Sequence, residues 1–325
     1  MGKKPKVITA PLATATPAAS VFGAALPTRN IASPGPVVEV TTLAALRTAI
    51  ASGVSGRTVR LTAPISGTGD LVINCVGTAT APITIDLAAA VSGGLRVVIS
   101  RAAYVNVRFT RLSLGNPDGL KITDGSHHID VDGRGGIIEF PSGQGILITD
   151  TATHDWQIWN TRINRAGTNA NLDHGIYAAT AKGQCVIGNV IVTDPQAYGY
   201  QIYPDCQGLL ITSCETHGSK TRGGMVVGSE NGLTNTTTVV GLIATEMITG
   251  YGAVSAYPPS TTVNLGSVYD SIGTGAFATQ MHPLHCSATV VDPKGYVAEA
   301  RYPYHPISDI DGKPFVTADA GAVAL

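Results

Sequence analysis

The residues able to do chemistry are concentrated between Asp173 and Glu230. Asp173, His174 and Tyr177 fall in one short stretch, and Tyr200, Gln201, Tyr203 and Asp205 follow about one repeat later. Glu215, His217, Lys220, Arg222 and Glu230 complete the set. These types suit two reactions on polysaccharides. β-Elimination needs a cation to neutralise a uronate carboxylate and a base to take the C5 proton, roles open to arginine, lysine, histidine or tyrosine. Lys220, Arg222, His217 and His174 supply those types. Glycoside hydrolysis needs two carboxylates, about 5.5 Å apart for retention and wider for inversion. Asp205, Glu215 and Glu230 are candidates, with Asp173 as an outside choice. The candidate catalytic residues are therefore Asp205, Glu215, His217, Lys220 and Arg222. The candidate carbohydrate contacts are Asp173, His174, Tyr177, Gln201, Tyr203 and Glu230, tyrosine faces being suited to sugar rings. Each carboxylate also has a plainer reading, as a turn residue capping exposed amides.

Other motifs carry less. His127-His128 and the group His282, His285 and Cys286 have metal-compatible types, but adjacent ligands on a loop seldom converge without a fourth elsewhere, so no metal is expected. Asp309-x-Asp311-Gly lacks the remaining ligands of a calcium loop and reads as a tight turn. Asn235-Thr-Thr is a glycosylation sequon by pattern alone. No phosphate loop, dinucleotide fingerprint or G-x-S-x-G elbow occurs, so no cofactor is expected. Five cysteines, without a C-x-x-C, sit mostly in apolar patterns and read as buried thiols. A net charge of −1 steers the chain towards neither nucleic acid nor an anionic membrane. No apolar run reaches the length of about 18 residues that spans a bilayer.

What must position these residues is a repeat. Short segments opening with glycine recur: Gly94-Leu-Arg-Val, Gly119-Leu-Lys-Ile, Gly145-Ile-Leu-Ile, Gly175-Ile-Tyr-Ala, Gly199-Tyr-Gln-Ile, Gly224-Met-Val-Val, Gly252-Ala-Val-Ser and Gly275-Ala-Phe-Ala. Successive glycines lie 25, 26, 30, 24, 25, 28 and 23 residues apart. A second apolar stretch follows each, among them Trp156–Ile158, Val186–Val192 and Leu209–Cys214. The period predicts an all-β solenoid, a parallel β-helix with one coil per repeat. Coils stack about 4.8 Å apart, so equivalent positions such as Tyr177, Gln201 and Val226 form one column. The recurring glycine is expected to supply the backbone angles of a sharp corner. A β-sandwich, the main alternative, would not repeat glycine at one phase.

The ends differ in composition. Leu43, Leu46 and Ile50 lie on one face of an expected helix, with Thr41 or Thr42 as N-cap and Gly53 as its stop. That helix would cap a solenoid whose first coil otherwise exposes an open core. The chain divides into an extended arm rich in Pro, Ala and Thr (1–37), the cap and first strand (38–66), the β-helix (67–280) and a closing segment (281–325). A leader peptide is the alternative for residues 1–30, but Pro11 and Pro17 interrupt its apolar stretch. The arm is expected to anchor the chain to sister subunits or a particle.

Several segments bear a resemblance. The helix followed by Gly56-Arg-Thr-Val-Arg-Leu, then Gly69-Asp-Leu-Val-Ile and Pro82-Ile-Thr-Ile, resembles the entry of right-handed parallel β-helix proteins of the pectate-lyase-like class. Asp173-His-Gly-Ile-Tyr-Ala and Tyr198-Gly-Tyr-Gln-Ile-Tyr resemble the repeat coils of that class. Asp309-Ile-Asp-Gly-Lys-Pro and Ala318-Asp-Ala-Gly-Ala resemble its closing segment, without the usual arginine and final acidic residue. The resemblance covers about residues 38–321 and implies a right-handed fold shared by polysaccharide lyases, hydrolases, phage tailspikes and non-catalytic binders. Three functions follow as expectations. The first is a virion-associated, tailspike-type protein, trimeric or held on a particle by residues 1–37, that either binds or binds and depolymerises host surface polysaccharide. The second is a secreted, monomeric polysaccharide lyase or hydrolase. The third is a structural protein that decorates a particle. The expected location is the virion or the extracellular space.

Overall fold

A computed structural model describes residues 28–115, 117–230, 232–245, 254–257, 261–265, 268–271 and 289–291. The chain winds into a solenoid of about 8 turns whose strands pair in parallel from coil to coil. Three walls result. The first stacks residues 71–73, 97–100, 120–123, 146–148, 176–178, 200–202, 225–227 and 254–256. The second runs from 37–40 through 58–61, 83–87, 105–109, 129–132, 156–159 and 186–188 to 209–212 and beyond. The third includes 91–93, 112–114, 137–139, 162–164, 191–193 and 215–217. The expected strands Val186–Val192 and Leu209–Cys214 each bend from the second wall into the third, at Asn189 (φ 51°) and Ser213 (φ 52°).

Alternation along each strand sends one set of side chains inward, where like stacks on like. Ile85, Val107, Val131, Ile158, Ile187 and Ile211 form one such fully buried column. Burying each side chain of this size contributes roughly 1.5–3 kcal/mol, which no single coil could retain alone. Cys75, Cys185, Cys206 and Cys214 are buried free thiols, as expected; Cys286 lies outside the described residues. Burial pushes the thiols of Cys185 and Cys214 up to about 12, which keeps them protonated.

The repeating glycines serve a different purpose from the expected one. Gly119, Gly145, Gly175 and Gly199 are not in the left-handed region. Their constraint is space. A Cβ on Gly119 would lie 2.5 Å from both the Gly145 carbonyl oxygen and Ile138 Cγ2. On Gly175 it would lie 2.5 Å from the Gly199 oxygen and collide with Val192 Cγ1. Each glycine is thus the point where the first wall meets both the next coil and a third-wall side chain. The left-handed corners belong instead to other residues, including Asn160 and Asn189. Asparagine tolerates that region through local hydrogen bonds, and here Asn189 Nδ2 donates to Asn160 Oδ1 at 2.8 Å one coil away. Asn160 Nδ2 continues the ladder to Asp132 Oδ1 at 3.1 Å.

The cap follows expectation. Thr42 accepts the Ala45 amide at 3.2 Å, the helix Leu43–Ala51 buries Leu46 and Ile50, and Gly53 (φ 57°) ends it. Residues 28–36 lie as a strap across the second wall, meeting one outward column coil by coil. Ser33 Oγ is 2.6 Å from Thr84 Oγ1, and Asn106 Nδ2 donates to the Ile31 oxygen at 2.9 Å. Arg29 forks onto Asp130 at 2.7 and 2.9 Å, reaches Asp132 at 2.8 Å and covers the Trp159 ring at 5.4 Å. Gln157 Nε2 donates to the Thr28 oxygen at 3.0 Å. Residues 1–27 of the expected arm, and the closing segment apart from residues 289–291, lie outside the described residues.

The packing role of the glycines is testable. Gly175→Ala should cost about 1–3 kcal/mol by overpacking. Gly94→Ala, whose Cβ would meet Thr68 Cγ2 at 3.3 Å and its next neighbours only at 3.7 Å, should cost less, within about 0.5 kcal/mol. Urea unfolding of the two variants decides, and equal losses would remove the explanation.

Candidate functional site

The first wall presents an outward column of Lys121, Leu147, Tyr177, Gln201 and Val226. The column expected for Tyr177, Gln201 and Val226 is therefore present. Beside it opens a groove of about 280 Å³, lined by Asn171, Tyr198, Gln201, Tyr203, Arg222 and Val226. Its overhanging edge is the loop 166–172, which falls within the longest glycine interval, 30 residues between Gly145 and Gly175. Arg222 Nη2 donates to Asn171 Oδ1 at 2.7 Å across 51 residues of sequence. Thr221 Oγ1 ties the same loops together, 2.5 Å from the Ala170 oxygen and 2.8 Å from the Gln196 oxygen. The guanidinium is thereby held in place rather than left on a mobile stem.

Phenols furnish the rest. The Tyr203 hydroxyl donates to Glu230 Oε1 at 2.7 Å; burial and that carboxylate push the phenol up to about 12. Tyr177 is raised too, mainly by burial, with a side-chain hydrogen bond to Gln201 acting against it. Tyr198 stacks on His174, ring centroids 5.8 Å apart.

Behind the groove stand two residues expected to touch sugar. His174 is 1% exposed, and its Nδ1 accepts the Tyr198 amide at 3.2 Å, which leaves the remaining ring proton on Nε2. Burial, helped by the charge of Arg222, lowers its pKa to about 3. Asp173 is buried as well, and its Oδ2 caps the Thr168 and Asn169 amides at 2.8 and 2.5 Å. Asp173 thus holds the 166–172 loop, the capping role being its plainer reading, whereas His174 holds the Tyr198 backbone of the next coil.

The expected catalytic set is dispersed. Arg222 lines the groove, with Tyr203–Glu230 beside it. Lys220 pairs with Asp194 at 2.5 Å. Asp205 is 4% exposed, within the strand Tyr200–His217 past its register shift and in register with Thr180, bound to Lys182 at 2.8 Å and Gln207 at 2.9 Å. Glu215 and His217 belong to the third wall, in register with Ile191 and Thr193. Coil-to-coil register, not sequence proximity, decides what shares a face. Asn171 and Tyr198 were not among the expected contacts, although the 30-residue interval marks the loop carrying the first. The sequon residue Asn235 is fully buried, its amide donating to the Ile202 and Gly228 oxygens at 2.9 and 2.8 Å. Among the described residues, no group of three or more His, Cys, Asp or Glu could hold a metal ion, and no helix is long and apolar enough to cross a membrane. The expected cluster of His282, His285 and Cys286 and the Asp309–Asp311 turn lie outside the described residues.

No family model and no curated protein matches the sequence. Among solved structures, an alginate lyase from Paenibacillus sp. str. FPU-7 superposes with a TM-score of 0.52 at 16% identity, covering 81% of this chain and 99% of that one. A pectate lyase variant from Xanthomonas campestris gives 0.41 at 12% identity, over 89% and 92% of the two chains. The parallel β-helix fold is thus shared with the alginate lyase.

The buried neutral His174 has a pH signature. The unfolded chain binds its proton below about 6.5, the folded chain only near 3. The unfolded state therefore holds more protons in that window, and stability falls as pH drops through it, by up to about 1.4 kcal/mol per unit. Urea midpoints from pH 7 to pH 4 should fall more steeply in the native chain than in His174→Asn, which retains an acceptor for the Tyr198 amide. Parallel slopes would contradict the assignment.

Proposed function

We propose that this protein binds an acidic polysaccharide along its first wall. The observation that carries the reading is the groove: a guanidinium fixed by Asn171, flanked by the Tyr198 and Tyr203 rings and the Gln201 amide. Arginine offers a planar fork for a sugar carboxylate, and tyrosines offer faces for the ring. The solved structures that share the fold include an alginate lyase, which fits a glycan ligand by analogy of fold.

Binding is favoured over cleavage. Of the three main carboxylates considered for hydrolysis, Glu230 stands at the groove, hydrogen-bonded to Tyr203, whereas Asp205 is tied to Lys182 and Glu215 lies on another wall. Of the groups considered for elimination, Arg222 is in place, but His174 is buried behind the groove and His217 is on the third wall. The wider setting we infer is that of a virion-associated, tailspike-type protein, a homotrimer or particle-bound, with residues 1–37 as its anchor. The strap at residues 28–36 supports this reading by giving such an anchor a fixed root. Arg222 also keeps a second reading open, a secreted lyase acting on uronates.

Arg222→Ala should weaken binding of oligogalacturonate or alginate oligosaccharides at least tenfold in calorimetry, from loss of a charge-assisted contact of about 1.5–3 kcal/mol. Tyr203→Phe should have a smaller effect. Unchanged affinity in Arg222→Ala would sink the groove assignment, and an unsaturated product absorbing in the ultraviolet would favour the lyase. A monomeric mass for the full chain would count against the trimer.

A further inference from the structure

A second cavity of about 280 Å³ lies on the opposite side of the second-wall strands from the core, where the strap crosses the coils. Thr28 and Asn30 of the strap line it, together with His128, Asp155, Gln157 and Gln184. The strap is fixed there from both sides: Asn30 Nδ2 donates to the His128 oxygen at 2.7 Å, and Gln157 Nε2 to the Thr28 oxygen at 3.0 Å.

The lining has a definite chemistry. Asp155 sits in the left-handed region (φ 50°), with Oδ1 accepting the Gln184 amide at 2.6 Å and Oδ2 2.6 Å from His154 Nδ1. Although burial acts against ionisation, these partners hold it below the usual carboxylate range. The other acid at the cavity, Asp130, is neutralised by Arg29 and Arg108 at 2.7 and 2.9 Å. His128 stacks on Tyr104 with centroids 4.3 Å apart, and its Nδ1 meets His127 Nδ1 at 2.8 Å. His127 in turn lies parallel to His154 at 5.0 Å. The cavity thus combines the Asp155 carboxylate, Gln157 and Gln184, Thr28 and Asn30 of the strap and the His128 ring, and among the described residues Arg29 and Arg108 beside it are bound to Asp130. An acidic sugar would meet the Asp155 carboxylate, already engaged by His154 Nδ1 and the Gln184 backbone amide, with no guanidinium among the described lining residues to pair with it.

We propose that this cavity is a second glycan subsite, taking a neutral, polyhydroxylated sugar unit whose hydroxyls donate to Asp155 and pair with the Gln184 side chain. The inference rests on the polysaccharide reading of the groove and adds to it. The two subsites differ in electrostatic sign, so the glycan they serve carries neutral as well as acidic residues, in its backbone or as branches. The strap is then part of a binding site as well as a fastening, since Thr28 and Asn30 complete the cavity.

The test titrates the full-length chain with neutral oligosaccharides of glucose, galactose and mannose, and separately with oligogalacturonate. Calorimetry and the imidazole NMR signals of His127, His128 and His154 are the readouts. The expected result is that a neutral oligosaccharide shifts those signals, and that Asp155→Asn and Gln184→Ala each weaken its binding at least tenfold. Asp155 also braces the corner, so should Asp155→Asn fail to fold, Gln184→Ala decides alone. Neutral sugars that leave the histidine signals still, or bind both variants as tightly as the native chain, would overturn the subsite. If acidic oligosaccharides bind through Arg222 while no neutral one binds, the subsite falls and the groove stands. If neither class binds, the polysaccharide reading itself fails.

Discussion

The structure depends on a close approach. At the start of successive first-wall strands, one coil's backbone passes so near the next that only a hydrogen atom fits on Cα, and a third-wall side chain fills the remaining space. Gly119, Gly145, Gly175 and Gly199 occupy those points. Glycine carries an entropic cost in the unfolded chain, which here is offset by a continuous core. The same approach keeps the first-wall strands in register, so Tyr177, Gln201 and Val226 emerge as a column. The groove is a consequence of that alignment together with one long loop laid over it.

The second wall is organised by a different device. Its outward column of Thr84, Asn106, Asp130 and Gln157 is polar, and the strap hydrogen-bonds to it coil by coil. Asp130, with a side chain 2% exposed, is a buried charge that Arg29 and Arg108 compensate; removing either partner would strand it. The strap therefore belongs to the body of the solenoid from Thr28 onward. Groove and strap occupy different walls of the solenoid.

The period, the cap and the apolar columns were legible in the sequence because each is a local pattern repeated many times. Leu46 and Ile50 announced the helix face, and the glycine intervals announced the coils. The reason for the glycines was not legible, since a demand for φ and a demand for space leave the same letter. The site was legible only in part. Arg222, Gln201 and Tyr203 reached the groove, but Glu215 and His217, a few residues away in sequence, turned onto the third wall at Ser213. A serine in the left-handed region carries no signal that marks such a corner. His174 and Asp173 have the types of a site and the burial of a scaffold, a distinction set by the loop above them. The strap could not be foreseen at all, because its partners lie about 50 to 130 residues away.

The most direct measurement is hydrogen–deuterium exchange of the full chain with and without saturating acidic oligosaccharide. A groove on the first wall should add protection in peptides covering 168–173, 198–203 and 219–226, with the third-wall strands around Glu215 and His217 unchanged. Protection confined to the third wall, or spread evenly over the solenoid, would contradict a binding groove on the first wall.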